Sequence, residues 1–213
     1  MPQEPADPDP REAPAAHHPG ESAGHDHSHS VATGQLADAS ARIAGPNDAS
    51  AVGMVQAAVF RAAYGTVLSQ EVVDQFEPAS FARVWRDSLK TPPSPRHVLL
   101  VACAGEQVVG FAAVGPSNDR DTTETSGEVL VLGVHPDARR SGHGSRLLNA
   151  AVDTLRGKGF GTMSVWLLAR DEDTRAFLTA AGLSPDSAYR DRVIDPDGSI
   201  VREVRLTADL SRE

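Results

Sequence analysis

Between two strongly apolar stretches the chain places Arg139, Arg140, Ser141, Gly142, His143, Gly144 and Ser145, a run suited to holding an anion. The stretch before it ends Val134-His135-Pro136, and proline stops a strand because it has no N–H for the ladder. The stretch after it carries Leu147, Leu148, Ala151, Val152 and Leu155 at helical spacing. The first N–H groups of a helix are unpaired and carry partial positive charge, so they donate readily to phosphate oxygens. Gly142 and Gly144 let a backbone approach a ligand closely, and arginine adds forked donors that match phosphate. The spacing therefore serves recognition of a phosphate or pyrophosphate.

Two other glycine loops are excluded by their neighbours. A dinucleotide fingerprint needs Gly or Ala where Leu147 stands, and a P-loop needs Gly-Lys-Ser/Thr where this chain has Gly144-Ser145-Arg146. A glycine pair can also be a plain turn before a helix, so the loop must be judged by its context. Other reactive residue types carry less. Cys103, the single cysteine, sits in an apolar run and reads as a small buried hydrophobe. His135 is of a type used in acid–base chemistry, but its place beside Pro136 suits the surface. His17, His18, His25, His27 and His29 are imidazoles without a nearby cysteine or a fixed geometry; a solvated polar tail is expected, and no metal.

The elements that must position the loop follow from pattern. Of 213 residues, the first 38 hold six of the fifteen prolines, seven acids and one base, and no Phe, Tyr or Trp. Such a segment buries too little to offset its ordering entropy, so residues 1–38 read as a disordered, acidic, His/Pro-rich tail and 39–213 as the folded domain. The net charge of −9 is mostly the tail's, which argues against nucleic-acid binding. No apolar run reaches membrane-spanning length and the N-terminus lacks a signal-peptide layout, so a cytoplasmic protein is expected. Strand 41–44 is followed by a helix capped by Asn47 or Asp48 and buried along Val52, Val55, Ala58, Val59 and Ala62. Helical stretches follow at 70–76 and at 80–89, the latter with Phe81, Val84, Trp85 and Leu89 on one side. Strands are expected at 97–103, 108–114, 128–134 and 162–168, helices at 142–156 and 174–181, and a closing hairpin at 188–194 and 200–206 around Asp195-Pro196-Asp197-Gly198. The fold class is α/β (α+β), a mixed, mostly antiparallel sheet of about seven strands flanked by helices.

In that context, Val129 through Leu148 closely resembles the central motif of the GNAT superfamily of N-acetyltransferases. There an apolar-x-Val-x-Pro strand precedes Arg/Gln-x-x-Gly-x-Gly/Ala, matched here by Arg139, Gly142 and Gly144. Val165-Trp166-Leu167-Leu168 and Ala176-Phe177-Leu178-Thr179-Ala180-Ala181-Gly182-Leu183 look like the family's next segment. The resemblance implies a V-shaped opening between the two central strands, with acetyl-CoA as cosubstrate and no metal. It implies that Leu132, Gly133 and Val134 pair with pantetheine and that the backbone of Arg139, Arg140, Ser141, Gly142, His143, Gly144 and Ser145 holds the pyrophosphate. Strand N–H groups would polarise the thioester carbonyl, and a primary amine of a small molecule or peptide would attack it directly. Glu128 matches a glutamate position and would be the base, against the alternative of a solvated strand-end carboxylate. Asp171 stands where an asparagine is common in the cofactor site. The family's usual acid, a tyrosine, is replaced by Leu178, which leaves open a second reading: a catalytically weak module that binds or senses acyl-CoA. Tyr64, after the first helix, is either a pocket residue or a core ring. Strand exchange in this fold is compatible with a homodimer.

Overall fold

A computed structural model of the chain describes residues 39–194, 198 and 200–211. The histidine-bearing segment 1–38 and the Asp195-Pro196-Asp197 part of the expected turn lie outside the described residues. The elements run β1 (Ala39–Ile43), α1 (Ala49–Tyr64), α2 (Gln70–Asp74), α3 (Pro78–Lys90), β2 (Val98–Ala104), β3 (Gln107–Pro116), β4 (Ser126–Val134), α4 (His143–Gly157), β5 (Thr162–Leu168), α5 (Glu172–Ala180), β6 (Ser184–Val193) and β7 (Ile200–Asp209). The strands form one sheet in the order β1-β2-β3-β4-β5-β7-β6, with β4 and β5 as the parallel pair and the rest antiparallel. This is the mixed, helix-flanked sheet that the sequence predicts. Among the described residues no helix is long and apolar enough to cross a membrane.

Alternation along β2 and β3 makes two cores. Leu99, Val101 and Phe111 pack with Val52, Val55 and Val59 of α1 on one face. Leu100, Ala102, Ala112 and Val114 pack with Leu147, Leu148, Ala151 and Leu155 of α4 on the other. Leu147 and Leu155 are fully buried, and each such side chain contributes about 2 kcal/mol. They clamp α4, and hence the loop that opens it, to the sheet.

Three local expectations are corrected. Asp48 precedes α1 but makes no side-chain cap. Its carboxylate accepts from the Gly45 N–H at 2.7 Å and from Arg42 instead, which fixes the turn before the helix. The buried stripe of α1 runs through Ala57 rather than Ala62, which is exposed. On α3, Val84 is exposed and Ala82 takes the inner position, because Gly53 of α1 lets the two backbones approach so closely that a Cβ there would lie 2.6 Å from the Ala82 nitrogen.

The feature that matters most for function is a divergence at the centre of the sheet. β4 pairs with β5 from Ser126↔Thr162 to Val129↔Val165, and no further. Opposite β3, the register jumps from Val114↔Val129 to Ala113↔Val131, so Leu130 is an extra, bulged residue. A bulge bends its strand and increases local twist, which carries the end of β4 away from β5. β5 continues beside β7 to Leu168↔Glu203, so a wedge opens between Leu130–Val134 and Trp166–Leu168.

Candidate active site

At the wide end of the wedge, β4 passes through a short 3-10 turn, Pro136–Ala138, into the loop and then α4. Gly142 is left-handed (φ 81°, ψ 0°), as is Arg140 (φ 66°). Two reversals so close together turn successive N–H groups toward one side. Among the described residues, the N–H groups of 140–145 find no acceptor, and pairing resumes with Arg146 donating to the Gly142 carbonyl at 3.1 Å. Arg139 donates through Nε to the Val134 carbonyl at 3.3 Å, and Arg146 through Nη1 to the Ser141 carbonyl at 3.2 Å. These side chains brace the loop, while Ser141, Gly142 and Ser145 lie at its surface. His143 differs. Its ring is buried, Nδ1 has no partner, and burial and then the Arg146 charge push its pKa down, which disfavours the charged form; the residue offers its main chain outward.

The β4 edge can be assigned by alternation. His135 N–H donates to the Val109 carbonyl of β3 at 2.8 Å, so Gly133 turns its main-chain groups the same way. Leu132 and Val134 therefore turn theirs into the wedge. Gly133 serves packing: a Cβ there would lie 3.1 Å from both Phe111 and Val59.

Glu128 lies at the closed end of the wedge, one residue before the last β4–β5 pair and beside Ser164. It is only 8% exposed, not a solvated strand end, and its Oε2 accepts from the Ser117 hydroxyl at 3.0 Å. Burial raises its pKa above the usual carboxylate value; the Ser117 bond opposes this, Asp119 adds to it, and Arg190 and Arg192 oppose it. Val129, Met163 and Val165 face the α4 core, so Glu128, Ser164 and Trp166 share the opposite face. The Trp166 ring is held there by Nε1 donating to Asp119 at 3.0 Å, with the Arg190 guanidinium 4.2 Å from its centroid.

Beyond β5, Asp171 accepts from the Thr174 N–H at 3.0 Å and the Thr174 hydroxyl at 2.7 Å, which makes it the N-cap of α5. Asp171→Ala is expected to cost about 1 kcal/mol, seen as a lower thermal midpoint. Leu178 is 2% exposed in the α4 core and brings no donor to the site. Tyr64 stacks edge-on with Phe60 and Phe76, at centroid distances of 5.6 and 6.3 Å. Burial, and after it the charge of Glu203, raises its pKa. His135 is half-buried with Nδ1 accepting from the Asp137 N–H, and Cys103 is a buried core thiol. The structure adds Ser117, Asp119, Trp166, Arg190, Arg192, Glu203 and Arg205 to this face. For the last four the signal in the sequence is the density of charge within strand-forming stretches, Arg190-Asp191-Arg192 and Arg202-Glu203-Val204-Arg205.

The family model "Acetyltransferase (GNAT) family" matches residues 60–183, more than half of the chain. A comparison with curated protein sequences finds no match. Among solved structures, the chain resembles the PaiA N-acetyltransferase from Thermoplasma acidophilum in complex with coenzyme A, at TM-score 0.63 and 16% identity, covering 80% of this chain and 98% of that one. It resembles YncA, a putative acetyltransferase from Salmonella typhimurium with acetyl-CoA, at TM-score 0.61 and 16% identity over 83% and 96% of the two chains. A putative phosphinothricin N-acetyltransferase gives TM-score 0.62 and 16% identity over 82% and 99%. At such identities the structures show the fold, which is the one built up above. With the family match spanning the bulged strand, the left-handed loop and both helices beside them, the chain belongs to the acetyltransferase (GNAT) family.

Proposed function

We propose that this chain binds acetyl-CoA and transfers its acetyl group to a primary amine of a small molecule or peptide, by direct attack and without a covalent enzyme intermediate. The observation that carries this reading is the run of unpaired N–H groups at 140–145, at the open end of a wedge into which Leu132 and Val134 turn their main-chain N–H groups. A diphosphate fits the loop, and an extended amide-bearing arm fits the main-chain groups of Leu132 and Val134. The two coenzyme-bound neighbours support the same assignment. Bound there, the cosubstrate supplies an activated thioester carbonyl.

The chain's own residues then have three tasks. Main-chain N–H groups of β4 in the wedge steady negative charge on the carbonyl oxygen. Glu128 accepts the proton that an incoming ammonium must lose, directly or through one water. A C–N bond forms as the C–S bond breaks, and solvent returns a proton to the sulfur because Leu178 has none to give. We assign this activity to residues 39–213, with 1–38 as an appendage. Leu178 favours one other reading, a module that binds acyl-CoA without turnover. Calorimetry with acetyl-CoA, followed by free-thiol release over a panel of amines, separates the readings. Saturable binding with amine-dependent thiol release is expected. Absence of binding overturns both, and binding with no release from any amine leaves the module.

A further inference from the structure

The apolar cluster beneath α1 and α3 reaches Val131 of β4 and stops. Past it, the same face of the sheet is polar, and its charges are arranged in two unlike groups. Arg205, with a side chain 9% exposed, donates through Nε to Asp186, through Nη1 to Asp119 and Asp121, and through Nη2 to Asp121. Four of its five N–H groups are taken by three carboxylates, and its bonds hold Asp121 at a pKa of about 2. This arginine has one N–H left over and fastens the loop after β3 to β6 and β7.

The second group is the reverse. Arg190 and Arg192 both donate through Nε to one oxygen, Oε2 of Glu203, a carboxylate whose side chain is 11% exposed. Two cations thus share one anion. Among the described residues their terminal nitrogens reach no acceptor, while the side chains remain 32% and 54% exposed. A purely structural pair would need one arginine, and a second one alongside adds like-charge repulsion that an arriving anion removes. The location is specific as well. Arg190 lies over the Trp166 ring, and Trp166 is the first residue of β5 beyond its last pair with β4. The surplus positive charge therefore sits at the fork of the wedge, with buried Glu128 on the other side of the fork. The charges of both arginines act on Glu128 and on Tyr64.

We propose that Arg190 and Arg192 form a carboxylate-recognition subsite, and that the acceptor is an amino acid whose ammonium faces Glu128 while its carboxylate bridges the two guanidinium groups. Forked N–H pairs match a carboxylate in plane, and orienting it directs the amine at the thioester carbonyl. The inference rests on the acetyl-transfer reading above and narrows its substrate to a zwitterion.

The test pairs amino acids with their carboxamides, which keep the amine and lose the negative charge. With the full chain and acetyl-CoA, kcat/KM for the amino acid is expected to exceed that for its carboxamide by about tenfold or more. That ratio is expected to collapse in Arg192→Met, an exposed position where the methionine keeps the apolar stem. A ratio near one in the unaltered protein, or one unchanged by the substitution, overturns the subsite. Calorimetry with N-acetyl amino acids, the products, reads the subsite independently of turnover. Product binding lost in Arg192→Met with no thiol release from any amine keeps the anion site and sinks acetyl transfer. Turnover without carboxylate preference does the opposite.

Discussion

Glu128→Gln is expected to lower kcat by about 10²- to 10⁴-fold while leaving the protein as stable as before, or more so, at neutral pH. The two halves of this expectation have one cause. Glu128 is buried beside the carboxylate of Asp119, so its charged form is disfavoured and its pKa is raised. A raised carboxyl pKa means that the stabilising contribution is complete at low pH, where the group is neutral in both states. It is lost as pH rises through the folded-state value. Glutamine keeps the shape and can accept from the Ser117 hydroxyl, yet carries no charge to desolvate and no site for a proton. Rate against pH adds a sharper signature. A base that must be ionised gives an acidic limb in kcat/KM, at a pH above that of an ordinary glutamate, and the limb disappears in the glutamine variant. A variant that keeps its rate and its acidic limb would remove Glu128 from catalysis.

The second large effect is expected from Gly142→Val, with acetyl-CoA affinity falling about tenfold to a hundredfold in calorimetry. Gly142 sits at φ 81°, which costs an L side chain about 1–2 kcal/mol and a β-branched one more. A Cβ there would also lie 2.5 Å from Arg146 Nη1, displacing the guanidinium from the Ser141 carbonyl that it braces. Either relief turns the N–H groups of 140–145 away from a common point, and a diphosphate senses that convergence directly. The melting temperature should fall by several degrees as well. Gly144→Ala is the control. Its Cβ would meet Phe177 at 3.6 Å, an ordinary contact, so near-normal stability is expected. Unchanged affinity in the valine variant would move the phosphate site elsewhere.

Much of this is legible in the sequence, for reasons that differ by residue. Pro136, the Gly142/Gly144 pair and the Leu147–Leu155 stripe each impose a local constraint, and together they place strand, loop and helix with little help from the rest of the chain. The hairpin of β2 and β3 was equally local. The bulge at Leu130 was not, because an extra residue in β4 is defined only by what lies opposite it in β3. Asp48 misled for a similar reason: its type fits a helix cap, but Arg42, six residues back, offers a stronger partner. The charged face of β5, β6 and β7 was the largest omission. Trp166, Arg190, Glu203 and Arg205 come from three strands, and only the sheet order brings β7 between β5 and β6.

That sheet order has one more consequence, for how the molecule breathes. The two antiparallel halves meet along a seam of four residue pairs, Ser126–Val129 against Thr162–Val165, backed by the leucines of α4. A short seam next to a gap is where subglobal opening costs least. Amide hydrogen exchange should therefore be fast at Leu132 and Val134, whose N–H groups face the gap, and slow at Phe111 and Ala112 on the neighbouring strand. A ligand laid along the gap supplies the missing rungs of the ladder. Its binding energy would then be read out as selective slowing of these few amides, at a line where the protein alone leaves its sheet unzipped.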